Sequence, residues 1–129
     1  MSNPRLSQFQ NQSYLNLETF RKSGVGVKTP VWFVEDGGVL YVRTIASSGK
    51  VKRIRNNSQV RVVPSGGRGE PRGDWVDARA SLADEARSEQ VNKLMKHKYG
   101  MQKSMFEMLG RFNRSEYTTL AIQILDAYA

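Results

Sequence analysis

The sequence predicts a mainly β fold, an antiparallel barrel with helical decorations, and three observations point there. Runs dense in β-branched and aromatic residues recur at 14–20, 25–34, 39–44, 60–63, 75–82 and 118–125, which makes six or so strands. Turn chemistry connects the early runs, with Ser23-Gly24 after the first and Asp36-Gly37-Gly38 after the second. Helical patterns are inserted late among hairpin-connected strands.

Each element has a local reason. Residues 1–12 are polar, with Leu6 and Phe9 at helical spacing, so a short helix or a flexible arm fits. The second strand, 25–34, is interrupted by Pro30, which removes a ladder donor and belongs at an edge or a bulge. Asp36-Gly37-Gly38 is a hairpin signal, and residues 39–44 return as strand three. Ser48-Gly49 opens a short basic helix. Residues 60–63 alternate as strand four and close at Pro64, and residues 65–73 are a loop by their glycines and prolines. Residues 75–82 form strand five. From Asp84 to His97, Ala86, Val91, Leu94 and Met95 recur at helical spacing. Acids come early and lysines late, which suits the helix dipole, and Gly100 ends the helix. Residues 101–112 predict a further helix whose Met105, Phe106, Met108 and Leu109 pack into the core. Residues 118–125 form strand six. The chain has neither repeats nor a linker.

A chain of 129 residues makes one domain, 1–129, with residues 1–12 as an N-terminal arm. It has no cysteine, which excludes disulfides, thiolate catalysis and cysteine-ligated metal. The single histidine, His97, stands between Lys96 and Lys98 on a charged stretch, so histidine triads and histidine zinc sites are poor fits and no metal is expected. No run approaches the roughly 18 apolar residues of a membrane span. The polar N-terminus lacks the apolar core of a signal peptide. A soluble, cytoplasmic protein without a membrane partner is the expectation.

The net charge of +8 calls for an anionic partner. The basic residues concentrate between Asp36 and Glu70, where Arg43, Lys50, Lys52, Arg53, Arg55, Arg61 and Arg68 stand without a carboxylate. Within it, Ser48-Gly49 leads into the helix carrying Lys50 and Lys52. A glycine lets a ligand approach the backbone, the first helical N–H groups point outward, and the lysines supply charge: this is what a phosphate needs. A solvated basic helix is the plain alternative.

Four blocks together resemble the pyridoxamine-phosphate oxidase-like split β-barrel superfamily, and within it the small deazaflavin (F420)-dependent oxidoreductases. They are residues 29–33 (TPVWF), residues 40–44 (LYVRT) with 48–54 (SGKVKRI), Arg68-Gly69 with residues 73–76 (GDWV), and Lys98-Tyr99-Gly100. The match runs from about Tyr14 to Leu125. It implies a split β-barrel and a homodimer with the cofactor at the subunit interface. It also implies that Lys28, Thr29, Pro30 and Val31 run along the ring system. Thr44, Ser48 and Lys50, with Gly49, Val51, Lys52 and Arg53, match the positions that surround the cofactor phosphate. Ser58 and Ser65 depart from the proline and cysteine that many relatives carry, outside the phosphate block.

The resulting expectation is an oxidoreductase that uses reduced F420 for hydride transfer to a small unsaturated or quinone-like substrate. FMN is the alternative cofactor, and a flavin or deazaflavin carrier an alternative role. Lys50 and Lys52 would hold the phosphate by charge-assisted bonds. Arg53, Arg55 or Arg61 could line the anionic tail of a deazaflavin, and Pro30 could leave the ladder gap against which a ring sits. No general acid is assigned; Tyr14, Tyr41, Tyr99, Tyr117 and Tyr128 are possible donors. Trp32 and Trp75 read as core or dimer contacts, with a place beside the ring as the other option. The third reading is nucleic-acid binding, but the tryptophans and most tyrosines do not interleave with the basic cluster as a stacking platform would. The loop at 65–73 is a candidate border of the substrate mouth.

Overall fold

The computed structural model describes residues 4–100 and 116–125. Its elements run α1 (Pro4–Ser7), β1 (Tyr14–Phe20), β2 (Gly26–Trp32), β3 (Val34–Asp36), β4 (Val39–Ile45), α2 (Gly49–Asn56), β5 (Gln59–Ser65), β6 (Val76–Leu82), α3 (Glu85–Tyr99) and β7 (Tyr117–Ile124). The helix expected at 101–112 lies outside the described residues. No described helix is long and apolar enough to cross a membrane.

The seven strands form one antiparallel sheet in the order β2-β1-β5-β6-β7-β4-β3. This order has a geometric consequence. β2 and β3 are the two edges of the sheet, yet only Phe33 separates them in the chain. The sheet therefore has to curl until its edges meet, and the result is a split barrel. The single strand expected at 25–34 is two strands, because the chain leaves one edge and joins the other at Phe33. Among the described residues the barrel has seven strands, against the six or so expected.

Pro30 occupies an edge strand, as expected, and not a bulge: β2 pairs with β1 from Gly26 to Trp32 without a break, with Pro30 opposite Asn16. Pro64 lies inside β5 rather than closing it. It pairs with Leu15 of β1, while β6 pairs with β5 only from Gln59 to Val62. The missing donor of Pro64 therefore faces no second ladder. The β3–β4 hairpin turns through Gly37 (φ 60°) and Gly38 (φ 85°), the left-handed pair that a two-residue hairpin turn requires.

The barrel interior holds Leu15, Leu17, Leu40, Val42, Val60, Val62, Ala78, Leu120 and Ile122 with Val51 and Ile54 of α2. Phe9 closes it from the arm, its ring edge-on to Phe33 with centroids 5.8 Å apart. Leu6 packs beside it, so the described part of the arm is seated against the core. A second cluster lies on the outer face, where Val91, Met95 and Tyr99 of α3 cover Val34 and Tyr41. α3 starts at Asp84, whose side chain accepts from the Arg87 amide (2.8 Å), and its C-cap is Gly100.

The edges are joined by Tyr99. Its hydroxyl accepts from the Phe33 N–H (2.9 Å) and has the carbonyls of Ser13 and Phe33 each at 2.6 Å for its own proton. The ring stacks on Trp32, with centroids 4.6 Å apart and planes at 11°. Lys98 Nζ donates to the Phe33 carbonyl (2.8 Å) and lies 3.7 Å from the Phe33 ring centroid. Phe33 is the one residue between two strands that belong to opposite edges, so its polar groups are held by side chains.

This seam carries a pH dependence. Loss of water around the Lys98 ammonium pushes its pKa down to about 8, from 10.5. Between those values the unfolded chain holds more protons than the folded one, so stability rises with pH. Burial pushes the Tyr99 hydroxyl up from 10.0. Above about pH 10 an unfolded tyrosine ionises before Tyr99 does, and stability falls. Urea midpoints measured against pH should show a shallow rise above pH about 8 and a fall beyond about 10. Lys98→Met should flatten the rise and leave the fall. The rise is shallow because the Lys98 side chain as a whole is exposed to solvent. A profile unchanged by Lys98→Met would separate the ammonium from the stability of the seam.

Candidate anion-binding site

α2 crosses one end of the barrel, buries Val51 and Ile54 in the core, and leaves its N-terminus beside the ends of β1 and β4. Ser48 stands at the N-cap with extended backbone, but its hydroxyl caps nothing. The Oγ is buried and has no hydrogen-bond partner among the described residues. An N-cap serine usually accepts from one of the first helical amides, a bond that Ser48 does not make.

Two cations converge there. Lys50 Nζ donates to Thr44 Oγ1 of β4 at 3.0 Å. Arg53 Nε donates to Thr19 Oγ1 of β1 at 2.6 Å. Residues three apart share a helix side, which brings these two charges together. The Lys50 pKa is lowered, first by burial and then by the charge of Arg53. The attraction of a bound anion would oppose both causes. Gly49 leaves the space over the helix start: a β-carbon there would lie 2.8 Å from Nη1 of Arg53.

Of the residues expected around a phosphate, Thr44, Ser48, Gly49, Lys50 and Arg53 are brought together. Val51 turns its side chain fully into the core, so only its backbone faces outward. Lys52 is exposed, and positions two apart on a helix do not face each other, so Arg53 and not Lys52 is the partner of Lys50. Arg55 is exposed. Arg61 is engaged elsewhere, 3.6 Å from Glu18 and 3.5 Å from Asp77. Thr19 carries no sequence signal, since a threonine in a strand looks like any strand former.

The residues expected along a ring lie on β2. Among the described residues β2 pairs only with β1, so its other edge is open. Thr29 and Val31 pair with Leu17 and Leu15 and are half-buried, while Lys28 and Pro30 pair with Glu18 and Asn16. Lys28 Nζ lies 5.2 Å from the Trp75 ring centroid, with Arg61 at 5.4 Å from the same ring. Trp75 is thus an outer-face contact, and Trp32 packs on Tyr99 at the seam. The two predicted groups meet through one pair: Thr19, which holds Arg53, is registered opposite Val27, the residue before Lys28. The start of β2 therefore lies one strand away from the threonine that holds Arg53.

The loop at 65–73 folds back over β1. Gly69 O accepts from Asn16 Nδ2 (3.0 Å), and Pro64 O accepts from the Arg72 amide (2.7 Å). Tyr41 is engaged by Arg87 (2.9 Å), Tyr99 by the seam, and Tyr128 lies outside the described residues. His97 is exposed in the last turn of α3, and no group of three metal-binding side chains occurs among the described residues. A groove of about 360 Å³ beside β7 is lined by Arg43, Glu85 and Glu89, whose acids make it a poor anion site.

Neither a protein-family profile nor a curated protein sequence matches the chain. Solved structures do, with the split-barrel fold of pyridoxamine 5'-phosphate oxidase-like proteins. A provisionally assigned pyridoxamine 5'-phosphate oxidase of Listeria innocua aligns over 94% of this chain and 90% of its own, with TM-score 0.69 and 18% identity. The heme storage protein HutZ of Vibrio cholerae aligns over 97% and 91%, with TM-score 0.71 and 19% identity. An F420 reductase aligns over 98% and 97%, with TM-score 0.62 and 15% identity.

Proposed function

We propose that this split barrel binds the phosphate of a flavin-type cofactor, the deazaflavin F420, and serves as an oxidoreductase for a small unsaturated or quinone-like substrate. The observation that carries the proposal is the convergence of Lys50 and Arg53 on an uncapped helix N-terminus beside β1, the strand that pairs with β2. Lys50, Arg53, Ser48, Thr44 and the first amides of α2 would hold the phosphate. Lys28, Thr29, Pro30 and Val31 would lie along the ring. When bound, such a cofactor supplies hydride transfer, which asks of the protein mainly placement and exclusion of water. The likeness to an F420 reductase over nearly the whole of both chains supports the fold on which this reading rests. A homodimer with the cofactor between subunits belongs to the same proposal, because an open strand edge and a ring laid along it leave one ring face to be covered.

FMN is the second reading, since the cradle recognises a phosphate and both cofactors carry one. A fluorescence titration with F420 and, separately, with FMN tests the two. Tighter binding of F420 supports the first reading and turnover with reduced F420 then separates an enzyme from a carrier. Tighter binding of FMN moves the reaction to flavin chemistry on the same site. If neither binds at roughly tens of micromolar, the proposal fails, and a salt-dependent shift of DNA becomes the next measurement.

A further inference from the structure

We infer that Thr19, on β1, is a positioning residue of the anion cradle: it fixes the Arg53 guanidinium so that the fork faces the start of its own helix. The inference rests on the phosphate reading above and goes beyond it, because Thr19 lies outside the segment that carries the basic residues. Thr19 is 1% exposed, so its hydroxyl has no solvent to turn to, and Oγ1 accepts from Arg53 Nε at 2.6 Å. The Nε–H is the guanidinium donor nearest the stem. Once it is used, the plane of the group is set and the two terminal nitrogens remain for a ligand.

The position of the fork follows from Gly49. A β-carbon at that residue would lie 2.8 Å from Nη1 of Arg53 and 3.6 Å from its Cζ and Nη2. The guanidinium is thus laid back over the first turn of α2, close to Lys50, whose pKa its charge helps to lower. A free arginine on this exposed end of the helix would be solvated away from a like charge. Thr19 holds it toward Lys50, so the positive field is assembled before an anion arrives. A preformed fork loses less side-chain freedom on binding than a mobile one.

The test uses the full chain and whichever of F420 and FMN binds more tightly, with the matching ribityl compound lacking the phosphate as control. Thr19→Val keeps the branched shape and removes the acceptor. The expected result is about a tenfold rise in Kd for the phosphorylated cofactor, an unchanged Kd for the control, and recovery with Thr19→Ser. In an Arg53→Ala background, Thr19→Val should add nothing. A Thr19→Val protein with wild-type affinity, or a loss that persists without Arg53, overturns the inference. If Thr19→Val does not fold, Thr19→Ala against Thr19→Ser decides: a tenfold loss in the first that the second does not share supports the inference, and equal affinities overturn it. A wild-type protein that binds the cofactor no better than the phosphate-free control fails differently, since it removes the phosphate reading itself.

Discussion

Replacing both Lys50 and Arg53 by alanine should weaken cofactor binding by about a hundredfold or more, with the fold intact. Each cation would give a phosphate at least one charge-assisted hydrogen bond, worth about 1.5–3 kcal/mol apiece. Two such losses correspond to factors of roughly 10² and upward. Neither side chain is fully buried, and the helix keeps Val51 and Ile54 in the core, so folding has little stake in the change. Removing Lys50 even relieves a desolvated charge beside a like one. The one structural cost is the Thr19 hydroxyl, left without its donor at about 1 kcal/mol. Lys52→Ala is the matched control, since that exposed lysine stands off the shared side of the helix. Its affinity should stay within about twofold of wild type. Titrations and thermal melts of the two variants beside wild type check this. A folded double mutant with wild-type affinity removes the cradle; a loss of the same size in Lys52→Ala moves the site to another face of α2.

Tyr99→Phe should destabilise the protein by about 2–3 kcal/mol. The ring, its stacking on Trp32 and its packing on Val34 all remain. What goes is one hydroxyl that meets the Phe33 amide and two carbonyls. The Phe33 N–H is then buried without an acceptor, because Phe33 belongs to neither ladder and is 1% exposed. Desolvation of an orphaned amide costs about 1–3 kcal/mol beyond the bond itself. Urea denaturation gives the magnitude. Amide exchange gives the location, with protection lost first at residues 31–34. A change below about 0.5 kcal/mol would mean that the interior alone closes the barrel.

Both predictions lean on residues that differ in how legible they were. The cradle's helix was readable because its signals are local: Ser-Gly, two lysines and an acid-free run lie within a few residues of one another. The choice of Arg53 over Lys52 was nearly readable, since positions 50 and 53 share a helix side and 50 and 52 do not. Arg61 was not, because its place among Glu18, Asp77 and Trp75 depends on which strands become neighbours. Tyr99 stood out through its place in a block resembling a known family and as one of several possible donors, and neither said anything of the bond it makes.

By itself the sequence determined most of the strands, the Gly37-Gly38 hairpin, the helix that runs from Asp84 and the basic start of α2. Turn geometry, capping and periodicity act over three or four residues, so each element carries its own instructions. Tertiary structure decided how the sheet closed. The run from Val25 to Val34 reads as one strand because its residue types do not change at Phe33; it divides there because two sheet edges must meet. It decided the cradle as well, since Arg53 and Thr19 are 34 positions apart in the chain and come within hydrogen-bonding distance only when α2 packs against β1. Contacts across such a separation depend on register and curvature, which belong to the whole sheet and to no segment of it.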